Sequence, residues 1–304
     1  MAFRIRPDRP FTAEFRSVAR RQLEQAVNFL EGQPNGPHEA IHDARKKFKR
    51  VRALYRLIQA DAREFRQREN ERIRDMAKTL SAVRDATALV ETVDYLASEA
   101  TSPEEISALA SASKALIERR DRIASEETDL ARKIAAAVRT CREAIDALDE
   151  LDLDDGPRRT ARRLSKAWRK QLSHAAADLL ACEEGGDTEA FHDLRKVGQT
   201  YWMHLSLLSD LWPSAMRAKQ KEAKALVDLL GHEHDLSVLT QVVNENPDLF
   251  GDSDTLARLI GAIIARQQDL RQRAIEQAKL VFADDAATEA ARIALLWQEA
   301  ASRR

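Results

Sequence analysis

The chain has 304 residues, with 49 Lys and Arg set against 50 Asp and Glu, for a formal net charge of −1. Hydrophobic residues at 44% and charged ones at 33% describe a soluble globular protein of about two domains. The balance excludes a generally basic nucleic-acid coat, and no run approaches the eighteen apolar residues of a membrane helix.

The opening, MAFRIRPDRPFTAEF, has no apolar core of signal-peptide length. Cys141 and Cys182 lie outside any metal or redox spacing, so the cytoplasm is the expected compartment. Strand signals are nearly absent. Helical periodicity runs from about residue 8 to 30 and stops at EGQPNGPHEA. Pro37 then opens a helix reaching roughly residue 60, and a third helix is expected over 65–98. TSPEE caps a stretch after residue 101 that runs as one or two helices to about 149. LDLDDGPRRT reads as a junction between two domains, 1–152 and 153–304. Helices follow over 157–182, 187–209, 213–243, 252–282 and 286–302. The pattern predicts an all-α protein of two helical bundles.

An offset of 150 residues relates the halves. HDARK at 42–46 returns as HDLRK at 192–196, and LSAVRDATAL at 80–89 returns as LGHEHDLSVL at 230–239. The same offset pairs Arg16 with Lys166, Arg20 with Lys170 and Arg74 with Lys224. One bundle has been used twice.

The stretch IHDARKKFKRVRALYRL, residues 41–57, concentrates seven basic side chains. On a helical wheel His42, Arg45, Lys46, Lys49, Arg52 and Arg56 fall within about a third of the circle. Ala44, Phe48, Val51, Tyr55 and Ile58 fall opposite. A solvated face normally mixes signs a turn apart, whereas here like charges stack and repel. Three readings are open from the residues alone: a solvated face, an anion site, or a neutralising acidic helix. The repeat favours the anion site. His192, Arg195 and Lys196 regenerate the head of the face, although Gln199, Trp202 and Ser206 replace its later cations. Arg16 and Arg20 on the first helix, and seven basic residues in RRTARRLSKAWRK, supply further basic edges. Leu30, Leu57, Leu89, Leu180, Leu208 and Leu239 read as bundle interior, and the four tryptophans as core or cleft-edge packing.

HDARKKFKRVR and HDLRKVGQTYW, one in each half of an all-helical repeat, resemble the CHAD family, the conserved-histidine alpha-helical domains. LSAVRDATAL and LLGHEHDLSVL resemble that family's second recurrent segment, and the likeness spans residues 8–300. The resemblance implies two antiparallel four-helix bundles related by a pseudo-twofold axis. It implies binding of inorganic polyphosphate at a basic central surface or pore; from the residues themselves, no catalysis, metal or cofactor is expected. Carried onto this chain, it points to His42, Arg45, Lys46, Lys49 and Arg52, and to His192, Arg195 and Lys196. Arg84 matches the family's arginine before Asp85, while His234 stands there in the second half. Arg56, Arg16, Arg20, Arg74, Lys166, Lys170 and Lys224 complete the candidate polyphosphate contacts. The N-terminal half is expected to carry more of the affinity. No specific nucleic acid and no membrane partner is expected, and granule association and oligomeric state stay open.

Three other functions compete with this one. Metal binding has GHEHD at 231–235, but His232 and His234 stand two apart rather than on one face. A phosphohydrolase or phosphotransfer role lacks a carboxylate cluster for a metal and any phosphate loop. Generic polyanion or nucleic-acid binding needs only the cation row.

Overall fold

Helix boundaries follow local chemistry. Pro37, Pro103, Pro157 and Pro213 each open a helix in its first turn, where the missing N–H would have had no partner. Ser102 accepts from the Glu105 amide at 3.1 Å, and Asp187, Asp252 and Asp285 cap three later helices in the same way. Gly36 supplies the left-handed turn, φ 89°, that feeds Pro37.

The computed structural model describes residues 3–80 and 82–302, and among these residues the only regular secondary structure is helix, with no strand. The helices are α1 (Phe11–Gly32), α2 (Pro37–Arg56), α3 (Arg63–Thr79), α4 (Ala82–Glu99), α5 (Pro103–Glu126) and α6 (Leu130–Ala147) in the first half. The second half holds α7 (Pro157–Glu183), α8 (Thr188–Leu207), α9 (Pro213–Glu245), α10 (Ser253–Val281) and α11 (Ala286–Ala301). None of them is long and apolar enough to cross a membrane.

The helix expected over 65–98 is two helices. α3 packs on α2 and α6, whereas α4 packs on α5 and α9, and one straight rod would not serve both. The equivalent segment of the second half, α9, runs unbroken through 213–245. The 101–149 stretch likewise resolves into α5 and α6.

Burial divides into two apolar clusters. The larger joins α1, α2, α3 and α6 to α7, α8, α11 and parts of α9 and α10. Trp168, Trp297, Tyr55 and Tyr201 are its largest buried aromatic side chains, and each contributes about 2 kcal/mol of apolar burial. The smaller cluster is built from the α4–α5 and α9–α10 hairpins, through Val93, Leu109, Leu239 and Leu259. Within the larger one, Glu289 is buried and accepts from Trp168 Nε1, Tyr201 Oη and Lys219 Nζ at 2.7–2.9 Å, the partners a buried carboxylate requires. Two expectations about the interior are corrected. Leu180 is 53% exposed, because it lies about 140° round the wheel from buried Ala175. Trp212 is 54% exposed, because it precedes the first turn of α9 instead of packing within a helix.

Candidate functional site

α2 buries Ala44, Phe48, Val51 and Tyr55, and α8 buries Leu194, Val197, Tyr201 and Leu205. Each helix therefore has a fixed polar side, as its amphipathic spacing requires. The two helices meet directly. His204 Nε2 lies 2.9 Å from the Ala53 carbonyl oxygen, and Arg56 Nη1 donates to Thr200 Oγ1 at 2.9 Å. α4 and α9 complete the walls of a cleft of about 630 Å³. Into it α2 delivers His42, Arg45, Lys46 and Lys49, α4 delivers Arg84, Asp85 and Tyr95, α8 delivers Arg195, and α9 delivers His232, His234 and Asp235.

Lys49 and Arg195 form the electrostatic centre. Neither side chain has a hydrogen-bond or ion-pair partner among the described residues. Lys49 still meets solvent in the cleft, yet protein closes round it. Burial, and then the charges of Arg195 and Arg45, lower its pKa to about 8, with Asp235 opposing. Burial likewise lowers Arg195, against the fields of Asp235 and Glu233. Asp235 is raised by burial, although Arg195 and His232 pull it down.

Three of the histidines, His42, His192 and His234, are held neutral. His234 is pushed down to about 4 by burial first, then by Arg195 and His192. Its ring stacks on that of His192 with centroids 4.7 Å apart. His192 is lowered by burial and then Lys196, and His42 by burial and then Arg84. At neutral pH these rings are hydrogen-bonding groups, and the fixed positive charge belongs to the lysines and arginines.

Carboxylates temper the remaining cations. Asp85 stands 3.8 Å from Arg45, whose Nη1 also donates to the Ala77 carbonyl at 3.3 Å. Glu91 takes both terminal nitrogens of Arg84 at 2.8 Å, and its hydrogen bonds raise the Arg84 pKa. Lys46 binds Asp43 at 3.0 Å, and Lys196 binds Asp193 at 2.7 Å.

The other candidates from the sequence lie outside the cleft lining. Arg16 donates to the carbonyls of Leu151 and Asp149, and Arg20 pairs with Asp149 at 3.0 Å. These two arginines strap the connection between the halves, and that employment removes them from the cleft. Arg74 pairs with its neighbour Asp75 at 2.8 Å, and Lys224 with Asp228 at 2.6 Å beside the Trp202 ring. Arg52 Nε donates to Asn70 Oδ1 at 2.9 Å. Lys166 lines a separate cavity with Asp61, Asp152 and Asp154. Arg56 and Lys170 share another small cavity beside His204. The long row on α2 thus divides: its first turns face the cleft and its last turn does not.

Sequence reasoning passed over Tyr95, since a tyrosine in an apolar helix reads as core. Its ring stacks on His232 at 4.1 Å, and its hydroxyl accepts from Arg266 Nε at 2.8 Å. His232 and His234, two apart, nevertheless both line the cleft, one against Tyr95 and one against His192. At the rim Glu39, His42 and Asp43 bring one donor atom each within 4.8 Å of one another.

A family model described as CHAD domain matches residues 17–244. The matched span holds α2, α4, α8 and all but the last residue of α9, and so the whole lining of the cleft. No curated protein matches the chain.

Proposed function

The chain belongs to the CHAD domain family, and from that premise we propose that it binds inorganic polyphosphate in the cleft between α2, α4, α8 and α9, without acting on it chemically. One observation carries the reading: Lys49 and Arg195 are brought together from different helices with no ion-pair partner of their own. Their mutual repulsion, which Asp235 only partly offsets, favours a counter-charge, and a chain of phosphates supplies one at each unit. Arg45 and Arg84 extend the track, with Asp85 and Glu91 as their resting partners in the free protein. Arginine forks two phosphate oxygens, whereas lysine follows as a point charge. Neutral His42, His192 and His234 donate hydrogen bonds from ring N–H groups.

Two antiparallel bundles, 1–152 and 153–304, related by a pseudo-twofold axis, belong to the same proposal. It is supported by element phasing: α2 and α8 are each 20 residues long, and α5 and α10 begin at 103 and 253. The cytoplasm and the surface of polyphosphate granules are where such a binder would act. Titration with polyphosphates of defined length at several salt concentrations tests the binding. Affinity should rise with length, fall steeply with salt, and drop in Lys49→Ala/Arg195→Ala. Unchanged affinity in that folded variant sinks the proposal, and efficient displacement by DNA or RNA replaces it with generic polyanion binding.

A second reading, metal-dependent phosphohydrolysis, has the Glu39, His42 and Asp43 grouping in its favour. Against it, Asp43 already accepts from Lys46. Incubating polyphosphate with the protein and Mg²⁺ or Mn²⁺ separates the readings, because chain shortening would belong to the second alone.

A further inference from the structure

A second cavity lies where the end of α2 and the start of α3 meet α7 and α8. It has a volume of about 210 Å³ and is lined by Arg56, Gln59, Arg66, Lys170, His174 and His204, among others. No carboxylate lines it. The cleft has Asp85, Glu91 and Asp235, and the cavities beside α7 and between α9 and α10 have their own acids. Asp178 stands one turn along α7 from His174 and interacts with it, but does not line the cavity. Three permanent cations therefore face one small space with no anion in its walls.

Two buried atoms here have no hydrogen-bond partner, Arg66 Nε and His204 Nδ1. Buried polar atoms are almost always satisfied, and an orphaned guanidinium nitrogen is costly. His204 is 1% exposed. Its Nε2 faces the Ala53 carbonyl, which only accepts, so the ring proton sits on Nε2. Nδ1 is then a lone pair awaiting a donor. Arg56 has Thr200 Oγ1 as a neutral partner, and burial followed by the charges of Arg52 and Arg66 brings its pKa down to about 10. The walls offer several cationic donors, and His204 Nδ1 is a buried acceptor among them without a partner.

We propose that this cavity is a second anion site, taking a single phosphate group that still carries a proton. The charged oxygens accept from the Arg66 and Arg56 guanidinium groups and the Lys170 ammonium, while the P–OH donates to His204 Nδ1. Sulfate, with the same shape but no proton near neutral pH, leaves Nδ1 unsatisfied and binds more weakly. Orthophosphate and the terminal group of a phosphate chain both have the required chemistry. The site shares no lining residue with the cleft and does not rest on the reading given for it.

The test follows the His204 ring by NMR in the full-length, histidine-labelled protein, titrated in turn with orthophosphate, sulfate and tripolyphosphate. Orthophosphate should shift the His204 signals and bind at least about tenfold more tightly than sulfate. Arg66→Gln/Lys170→Gln, both at solvent-reached positions, should weaken orthophosphate by about tenfold or more and leave long-chain polyphosphate binding intact. Lys49→Ala/Arg195→Ala should leave the His204 response to orthophosphate unchanged. Competition by tripolyphosphate for the same signal would support the site and identify a chain end as its ligand. A silent His204, equal response to sulfate, or an unaltered response in Arg66→Gln/Lys170→Gln would overturn the proposal.

Discussion

Lys49 and Arg195 in the cleft, and Arg16 and Arg20 on α1, are two pairs of basic residues of similar promise in the sequence. In the fold they have opposite roles. Arg16 donates to the Leu151 and Asp149 carbonyls and Arg20 holds the Asp149 carboxylate, so their charge is spent on fastening the 148–156 connection. Lys49 and Arg195 line one cleft from different helices without such partners. The contrast shows that a cation marks a binding site by what fails to neutralise it, more than by the row in which it stands.

The contrast can be broken most directly at its centre. Lys49→Ala/Arg195→Ala should weaken long-chain polyphosphate by about 100-fold at ~0.1 M salt, and should flatten the slope of log K against log salt by roughly 1.4. Calorimetry across a salt series reads both effects.

Acid should separate the regions next. His234 has a folded pKa of about 4, below its ordinary 6.5, so the unfolded chain binds more protons between those values. Stability is then lost as pH falls from 6.5 toward 4. His234→Gln should shrink the acid-induced drop in Tm, and a drop of unchanged size would clear His234 of responsibility.

Lys49 gives a smaller effect at the alkaline end. Its pKa near 8 means that raising pH from 7 to 9 removes one cleft charge, and polyphosphate affinity should fall several-fold. In Lys49→Arg this fall should largely disappear. On the other side of the comparison, Arg16→Ala/Arg20→Ala should cost about 1–2 kcal/mol of stability and change affinity less than twofold. Arg74→Ala, which removes an exposed pair with its own neighbour, should alter neither Tm nor binding measurably. A large loss of affinity in either peripheral variant would erase the distinction drawn here.

Much of this was legible in the chain. The wheel separated the buried face of α2 from its cationic face, and Ala44, Phe48, Val51 and Tyr55 are buried as that separation demands. The 150-residue repeat linked His42 with His192 and drew attention to Asp235, all now beside one cleft or its edge. What failed depended on neighbours. Nothing local announces that the 65–98 helix must break so that α3 and α4 can pack on different partners. Leu180 has the hydrophobicity of a core residue, but no helix covers it. Tyr95 gains its place only through His232 and Arg266, far along the chain.

By itself the sequence determined the helical class and the side of each histidine-headed helix that would face outward. These follow from periodicity and spacing, which act over a few residues. Only the tertiary structure decided which cations remain without a counter-charge, because desolvation and pairing depend on groups distant in sequence, as Lys49 and Arg195 are. The same physics confined Arg56 and Lys170 to a separate acid-free cavity and left Arg16 and Arg20 as fasteners.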